Sequence, residues 1–527
     1  MTGRSSGADQ RVRVGIDVGG TNTDAVIMQG STVLASIKAP TSQDIQKGVA
    51  DAARLVMKKA GVSARAVDQV MIGTTQFTNA FVERKRITPV AVIRLGLPAT
   101  RSIRPCVDWP RDLLDAVNIK VFFVDGGHEF DGREISPLCH EQLEGVISEI
   151  RDLGYEAVAV TGVFSPVDKS MEDRIAELLR EAIPGIHISL SNEIGRLGLI
   201  ERENATIMNA SLSVFANRVI DGFRQALGDL DITAPFFVSQ NDGTLMNEEF
   251  VRRYPVLTFA SGPTNSMRGA AYLTAREESI IVDIGGTTTD VGVLVNGFPR
   301  ESSIPVDIGG VRTNFRMPDI LSVGLGGGSI VRQRDDGSVT IGPDSVGYRL
   351  TEDALVFGGQ TTTATDIVVA AGRCVVGEPA LVEHLDKNFV KQAENLIHAM
   401  VENAIDRMKT QNDDVPVVLV GGGSVLVNRK LSGASEMTIP DNFGVANAIG
   451  AGMAQIGSEV DRIFSYADLG RDKALAETKN EAVTGCIDAG GAPDSVKIID
   501  VEELPLTYLP GGAVRVRVKA VGDLLNG

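Results

Sequence analysis

The sequence predicts a duplicated α/β fold, in which two related halves face each other across a cleft. An eight-residue segment occurs twice, as residues 17–24 (DVGGTNTD) and 283–290 (DIGGTTTD), and the copies differ only at their second and sixth positions. Each copy lies between two short apolar runs, which is typical of strand, glycine turn and strand. Between the copies, strand-like and helix-like segments alternate, as in a parallel α/β unit.

The residues of this repeated segment suit the binding of phosphate. Two adjacent glycines let backbone N–H groups approach an anion, because no Cβ atom stands in the way. The threonine hydroxyls add donors, and an aspartate at the end of a strand can hold Mg²⁺ through water. A single Gly-Gly between strands is more often a plain hairpin turn. The second copy in the same setting favours a pair of phosphate-binding turns.

Composition restricts the classes of protein and partner. A chain of 527 residues predicts more than one domain. A net charge of −17 disfavours nucleic acid and anionic membranes as partners. The four cysteines are widely spaced, which argues against a disulfide framework or a thiolate zinc site and fits a reducing compartment. We find neither a signal-peptide pattern nor a long apolar run, so a cytoplasmic protein is expected.

Two small-residue segments carry local predictions. The glycine concentration at residues 324–329 lacks the arrangement of a dinucleotide-binding fold, and we expect a loop close to the nucleotide or the hinge. Residues 442–452 place small side chains at close spacing on a helix, which permits close helix packing at a hinge or simply in the core.

Two other segments yield predictions about secondary structure. The run 256–259 reads as a strand, followed by a helix with Pro263 at its first position. The alternation at 513–519 predicts a half-exposed strand, with Arg515, Arg517 and Lys519 on a solvated face.

The paired Asp-x-Gly-Gly-Thr turns resemble the phosphate loops of the superfamily that contains actin, sugar kinases and heat-shock chaperone ATPases. A third glycine turn, at residues 421–424 (GGGS), follows a buried strand and resembles the superfamily's adenosine-binding element. The chain is more specifically similar to the hydantoinase A/oxoprolinase family along nearly its whole length. The matching segments are 15–24, 73–75, 78–80, 83–85, 189–193, 201–202, 209–210, 240–243, 261–263, 283–290, 324–329, 342–345, 421–424 and 505–523.

The resemblance also has gaps. Many larger members carry Pro-Gly-Pro-Ala-Cys-Tyr-Gly where this chain has residues 348–352 (YRLTE), and the segment 317–322 lacks a histidine often found there. Any catalytic role of those family residues is not carried over.

The resemblance implies an α/β fold of duplicated actin-like ATPase (ribonuclease H-like) domains that flank a nucleotide cleft. The expected organisation is a disordered tail at 1–10, an N-terminal half at 11–200 with an inserted α/β subdomain, a C-terminal half at 201–465, and a helix-and-strand extension at 466–527.

The same resemblance implies roles for individual residues, with ATP and Mg²⁺ as cofactors. Asp17 and Asp283 are expected to hold Mg²⁺, and both are catalytic candidates together with Asp290. Asp24, Thr289 and Asp290 would orient the loops or a nucleophile, although Asp24 and Asp290 could instead only bond the amides of their own turns. No residue is singled out as a general base. The expected nucleotide contacts are Gly19, Gly20, Thr21, Thr23, Gly285, Gly286, Thr287, Thr288, Gly421, Gly422, Gly423 and Ser424.

The activity implied is an ATP-dependent hydrolase that opens a cyclic amide or imide after phosphorylation of its carbonyl oxygen. Hydantoin, 5-oxoproline, other lactams and small ketones remain open as substrates. The partners implied are a companion subunit resembling hydantoinase B or a second copy of the chain. Two alternatives are a small-molecule kinase of the same superfamily and a regulatory ATPase of the actin or chaperone kind.

Overall fold

The computed structural model describes residues 11–42, 44–507 and 512–525, so the tail predicted at residues 1–10 lies outside the described part. The strands, in chain order, are β1 (Val12–Val18), β2 (Asn22–Gln29), β3 (Thr32–Pro40), β4 (Gln69–Thr74), β5 (Val90–Leu97), β6 (Lys120–Asp125), β7 (Ala157–Gly162), β8 (His187–Leu190), β9 (Phe236–Ser239), β10 (Leu245–Met246), β11 (Ser279–Ile284), β12 (Thr289–Val295), β13 (Phe298–Pro299), β14 (Val306–Ile308), β15 (Val311–Thr313), β16 (Ile320–Val323), β17 (Ser329–Gln333), β18 (Val339–Ser345), β19 (Val415–Val420), β20 (Ala434–Thr438), β21 (Ile456–Ser465), β22 (Lys497–Pro505) and β23 (Ala513–Gly522).

The helices connect and cover these strands. They are α1 (Ile45–Ala60), α2 (Gln76–Val82), α3 (Arg111–Val117), α4 (His140–Asp152), α5 (Ser170–Ala182), α6 (Ser191–Ile194), α7 (Leu199–Gly228), α8 (Glu248–Arg253), α9 (Ser261–Thr274), α10 (Leu350–Asp353), α11 (Ala364–Ala370), α12 (Lys387–Met408), α13 (Ala446–Met453), α14 (Tyr466–Leu469) and α15 (Arg471–Asp488). Within the described residues, none of them is long and apolar enough to cross a membrane.

Two sheets repeat one strand order, which confirms the predicted duplication. In the first sheet the order β3-β2-β1-β4-β9 combines antiparallel β1 and β2 with parallel β4 and β9. In the second sheet β16-β12-β11-β19-β20 has the same directions. The two repeated segments therefore occupy equivalent hairpins, β1–β2 and β11–β12.

The first sheet is formed by strands from distant parts of the chain. Strands β9 and β10 belong to the first sheet, and so do β21, β22 and β23 near the end of the described chain. A strand can extend a sheet whose other strands are distant in sequence, because the exposed edge of a sheet pairs with whichever strand the folded chain brings beside it. A separate parallel sheet in the order β6-β5-β7-β8 lies where the inserted subdomain is predicted.

The long helix α7 is buried over most of its length and packs mainly against β7 and β8 of the parallel sheet. Its Phe223 also makes an edge-to-face ring contact with Phe236 of β9 in the first sheet. At the start of α7, the buried guanidinium of Arg202 donates to the Gly162 carbonyl, at 2.6 Å, and to the Ser191 hydroxyl, at 3.0 Å. The next residue, Glu203, forms a fully buried ion pair with Arg94 of β5. These contacts fix the inserted subdomain to the first half.

Two local predictions were wrong. Residues 255–258 form a short 3₁₀ helix rather than a strand, and α9 begins at Ser261, so Pro263 is its third residue. Pro255 explains the first error, because a proline has no N–H to donate to a sheet and its φ suits a helical start. Ala260, at φ 60°, then separates the 3₁₀ helix from α9.

The predicted solvated face of the last strand is also wrong. β23 lies between β21 and β22, and its basic side chains are largely covered. Arg515 pairs with Asp461, Arg517 with Glu301, and Lys519 with Asp242. The alternating pattern could not distinguish a solvated face from one covered by acidic residues of other elements.

Candidate functional site

The two glycine turns have the same internal geometry. The Gly19 amide donates to the Asn22 carbonyl at 3.0 Å, and the Gly285 amide donates to the Thr288 carbonyl at 2.9 Å. In each hairpin the first and last aspartates of the repeated segment are directly paired residues, Asp17 with Asp24 and Asp283 with Asp290. The duplication thus extends to the backbone hydrogen bond that closes each turn.

The two turns face each other, as the sequence predicted. A Cβ atom placed on Gly286 would lie 3.4 Å from Cγ2 of Thr21. The threonines of the turns differ in their exposure to solvent: Thr21 and Thr287 are half-buried, whereas Thr288 is exposed. Thr23, also predicted to contact the nucleotide, is buried beside the Thr41 hydroxyl at 3.3 Å.

The loop at residues 324–329 packs directly on the second turn. The amides of Gly327 and Gly328 donate to the carbonyls of Gly285 and Gly286, at 3.0 and 2.7 Å. A Cβ atom on Gly326 would lie 2.6 Å from the carbonyl carbon of Gly286, so no side chain fits there. The Thr289 hydroxyl donates to the Leu325 carbonyl at 2.7 Å. The loop therefore holds the second turn in place.

Glycines also lie against both leading aspartates. A Cβ atom on Gly73, at the end of β4, would be 2.1 Å from Asp17 Oδ1. A Cβ atom on Gly421, directly after β19, would likewise be 2.1 Å from Asp283 Oδ1. In the third turn Ser424 is buried and its hydroxyl donates to the Val420 carbonyl at 2.7 Å. The third glycine turn thus packs on the second turn.

Two asparagines that the sequence did not single out hold the first pair of aspartates. The Asn265 amide nitrogen lies 2.9 Å from Asp17 Oδ1. The Asn447 amide nitrogen lies 2.9 Å from both Asp17 Oδ2 and Asp24 Oδ2. Lys38 forms an ion pair with Asp24 at 2.7 Å. The sequence offered one signal for these contacts, because Asn447 lies within the small-residue segment 442–452. No feature of the sequence pointed to Lys38.

The second pair of aspartates has hydroxyl partners. The Ser266 side chain hydrogen-bonds to Asp283, and the Ser322 hydroxyl donates to Asp290. The partners identified for Asp24 and Asp290 among the described residues therefore lie on neighbouring elements rather than in their own turns. All four aspartates are tied to the surrounding helices and strands.

The electrostatics of this cluster oppose ionisation. The pKa of Asp17 is raised to about 6, mainly by burial and also by the charges of Asp24 and Asp283, and the hydrogen bonds from the Asn265 and Asn447 amides offset part of this rise. Burial likewise raises the pKa of Asp290 to about 6, with Asp283 adding to the effect. The pKa of Asp283 is also raised, mainly by burial. Gathered carboxylates of this kind are stabilised by a nearby cation.

The oxygen ligands available here suit a Mg²⁺ ion that keeps most of its waters, rather than an ion bound entirely by protein side chains. Mg²⁺ prefers oxygen ligands and commonly keeps several waters, held by one or two carboxylates and by substrate phosphates. Asp17 and Asp283 offer such oxygens beside the two turns. In the part of the chain that the structure describes, no three histidine, cysteine or acidic side chains converge to bind a metal directly.

The helices that carry the asparagines cross very closely. A Cβ atom on Gly450 of α13 would lie 1.8 Å from the Asn265 carbonyl of α9, and one on Gly269 would lie 1.8 Å from the Ala446 carbonyl. The predicted close helix packing at 442–452 is confirmed. The crossing lies directly behind the aspartates, so it positions both halves of the site.

Comparison with known proteins gives the family context. A family model for the hydantoinase/oxoprolinase N-terminal region matches residues 13–183, and a hydantoinase/oxoprolinase model matches residues 202–376. Caprolactamase subunit alpha of Pseudomonas jessenii is 26% identical over 397 residues, which cover 69% of this chain and 55% of that protein. The acetophenone carboxylase gamma subunit of Aromatoleum aromaticum is 24% identical over 403 residues, 68% of this chain and 53% of that protein. The chain thus spans little more than half the length of these relatives.

A solved structure shows that the fold is shared. The ATP-dependent caprolactamase from Pseudomonas jessenii superposes with a TM-score of 0.77 at 20% identity, over 97% of this chain and 87% of that chain. This likeness and the repeated strand order confirm the predicted actin-like ATPase fold. The two family models together match most of the sequence, and the chain belongs to the hydantoinase/oxoprolinase family.

Proposed function

We propose that this chain binds ATP with Mg²⁺ between its two glycine turns and uses it to activate a cyclic amide for ring opening. The observation that carries the proposal is the opposition of the turns, with Gly286 facing Thr21. An anion placed there would meet backbone amides from both halves. We assign the phosphate contacts to the backbone amides at the tips of the turns, because the amides of Gly19 and Gly285 already donate to carbonyls within their own turns.

The aspartate cluster supports the magnesium part of the proposal. Asp17 and Asp283 would hold the ion, through its waters, at the leading end of each repeated segment. The bound ion would supply charge neutralisation for the phosphates and for the transfer of a phosphoryl group. Asn265, Asn447 and Ser266 would keep the carboxylates in place. Residues 421–424, which pack on the second turn, would lie beside the adenosine.

The family supports a lactam or related cyclic amide as the second substrate. An amide carbonyl is a poor electrophile, whereas phosphorylation of its oxygen creates a leaving group and opens the carbon to attack by water. Such a transfer depends mainly on positioning and on charge neutralisation. Asp290, with its raised pKa, is the residue we assign to orient a nucleophile or the second turn. The similarity to proteins named as subunits supports a companion subunit for the complete reaction.

Calorimetry with Mg²⁺-ATP tests the nucleotide site. We expect Asp283→Asn to weaken binding at least about tenfold, equivalent to about 1.4 kcal/mol. Asp413→Asn, at an exposed position on the same half, is the matched control and is expected to bind as wild type. A folded wild-type chain that binds no ATP would contradict the proposal.

Product analysis then tests the reaction. The chain would be incubated with ATP and with ε-caprolactam, 5-oxoproline or hydantoin, and the products would be separated by mass spectrometry. Free phosphate together with a ring-opened acid supports the hydrolase. A stable phosphorylated metabolite with an intact ring would instead establish the kinase alternative, and nucleotide turnover independent of all cyclic amides would favour a regulatory ATPase.

A further inference from the structure

Lys38 occupies a defined place in the sheet beside the aspartate cluster. It lies on β3 directly opposite Asp24 of β2, and Asp24 lies directly opposite Asp17 of β1. The side chains of directly opposite residues point to the same face of a sheet, so these three form one row across three strands. The row runs from the leading aspartate of the first turn to the edge of the sheet, because β3 is its last strand.

The second half repeats this row with one difference. Asp283 lies opposite Asp290, and Asp290 lies opposite Ser322 of β16, the strand that corresponds to β3. The Ser322 hydroxyl donates to Asp290, so a hydroxyl is sufficient to hold the carboxylate at this position. The last member of the row is therefore a hydroxyl in the second half and an ammonium, that of Lys38, in the first.

The charge of Lys38 acts on aspartates of both halves. Its Nζ lies 2.7 Å from Oδ1 and 2.8 Å from Oδ2 of Asp24. Burial raises the pKa of Asp24, and the charge and hydrogen bond of Lys38 offset part of that rise. Burial also raises the pKa of Asp283, in the other half, and the charge of Lys38 again offsets part of the rise. The ammonium thus lies near the space between the two halves.

The end of β3 is attached to the first glycine turn. Just after this strand, the Thr41 amide donates to the Thr21 carbonyl at 3.0 Å, and the Thr41 hydroxyl donates to the Gly19 carbonyl at 2.8 Å. The Lys38 side chain is 38% exposed, whereas that of Asp24 is 4% exposed. An ammonium has three donors, and one carboxylate offers it only two oxygens. A donor of Lys38 is therefore left for an oxygen brought between the turns.

We propose that Lys38 is a catalytic residue that donates to the terminal phosphoryl group of ATP. The inference rests on the proposed binding of ATP between the two turns. In the transfer, the bond from the terminal phosphorus to the oxygen of ADP breaks, and ADP leaves with the electron pair. The carbonyl oxygen of the amide forms the new bond to phosphorus. Lys38 keeps its proton throughout, and its charge offsets that of the phosphoryl oxygens.

Asp24 acquires a role through this lysine. A cation that is already fixed in place stabilises the charge of a transferring phosphoryl group without reorganisation at the moment of reaction. Asp24 fixes the Lys38 ammonium, and the Asn447 amide nitrogen, 2.9 Å from Asp24 Oδ2, holds the carboxylate in turn. Asp24 is thus a positioning residue, which acts on the phosphoryl group through Lys38.

Calorimetry with Mg²⁺-ATP and Mg²⁺-ADP tests the inference, because only ATP carries the terminal phosphoryl group. Lys38→Ser gives the first half the arrangement that the second half has at Ser322, so we expect this variant to fold. It should bind ATP about tenfold more weakly than wild type and bind ADP unchanged, as for the loss of a charge-assisted hydrogen bond. Lys58→Ser, at an exposed position of α1 in the same half, is the matched control and should alter neither.

Two further variants keep the test decisive. Lys38→Gln has a long polar side chain without the charge, and it should show the same selective loss if Lys38→Ser does not fold. Lys38→Arg restores a cation and should recover most of the ATP affinity. In single-turnover phosphorylation of a cyclic amide, Lys38→Ser should lower the rate by about 100-fold or more.

Two results would overturn the inference and leave the proposed nucleotide site intact. One is a folded Lys38→Ser that binds ATP as tightly as wild type. The other is an equal loss of affinity for ATP and ADP, which would give Lys38 a structural role only. A wild-type chain that binds neither nucleotide would refute the proposed function itself, and the role of Lys38 with it.

Discussion

The Asn265 side-chain amide lies 2.9 Å from Oδ1 of Asp17, and this contact joins α9 to the first strand of the chain. The next residue of the same helix, Ser266, hydrogen-bonds to Asp283, the corresponding aspartate of the second half. Two consecutive residues of one helix thus contact the leading aspartates of both repeated segments. The position of α9 therefore determines how the two carboxylates stand relative to each other.

Asn447 is expected to stabilise the aspartate cluster. In Asn447→Ala, Asp17 and Asp24 lose a shared donor, and their repulsion in a buried site is less compensated. We expect the free energy of unfolding to fall by about 1–3 kcal/mol, measured by chemical denaturation. Asn403→Ala, at an exposed position of α12, is the control and should change little. Removing one charge with Asp24→Asn should recover part of the loss; no recovery would argue against the repulsion.

The raised pKa of Asp17 predicts how stability depends on pH in the absence of ligand. The carboxyl has a pKa of about 6 in the folded chain, against an ordinary value of 3.8, so the folded state binds its proton more tightly than the unfolded state. The free energy of unfolding should therefore fall as pH rises from about 4 to about 6, by up to about 3 kcal/mol from this group. Urea denaturation across this range measures the slope.

Asp17→Asn removes that titration and should make the slope shallower. Asp413→Asn, an exposed aspartate, should leave the wild-type slope unchanged. If Asp17→Asn and wild type lose stability in parallel between pH 4 and 6, Asp17 does not carry the effect.

Because α9 and α13 cross so closely, we expect that adding a side chain to a glycine at the crossing destabilises the fold. A Cβ atom on Gly450 would lie 1.8 Å from a backbone oxygen, so Gly450→Ala requires the helices to move apart. We expect a loss of about 2 kcal/mol or more in the free energy of unfolding. Gly444→Ala is the matched control, because no atom lies within 4 Å of its Cβ position. Equal stability of the two variants would mean that the crossing is looser than described.

Lys519 is expected to stabilise the fold through Asp242. This carboxylate is buried, at 2.9 Å from Lys519 and 3.3 Å from Arg316, and those two cations hold its pKa well below the usual range despite burial. Lys519→Met should lower the free energy of unfolding by about 2 kcal/mol or more, because a buried charge loses one of its partners.

Exposed Lys497, at the edge of the same sheet, provides the control substitution Lys497→Met, which should have little effect. Adding Asp242→Asn to Lys519→Met should restore part of the stability, as measured by denaturant midpoints. A double variant no more stable than Lys519→Met alone would show that the loss has another cause.

The sequence by itself determined the duplicated hairpins, the facing turns, the inserted parallel sheet and the family. These features rest on local patterns: a repeated glycine turn has few alternative conformations, and alternating apolar runs specify strands wherever they occur. The close packing at 442–452 was predictable for the same reason, since only small residues allow backbones to touch.

Only the tertiary structure decided which distant side chains complete the site. Asn265, Asn447 and Lys38 reach the first pair of aspartates from three separate elements, and no local pattern records such a contact. The environment of β23 was likewise decided by the tertiary structure, because the acidic residues that cover Arg517 and Lys519 come from other parts of the chain. Periodicity indicates that a side chain lies on one face of an element, whereas the partners of that face depend on how distant elements pack.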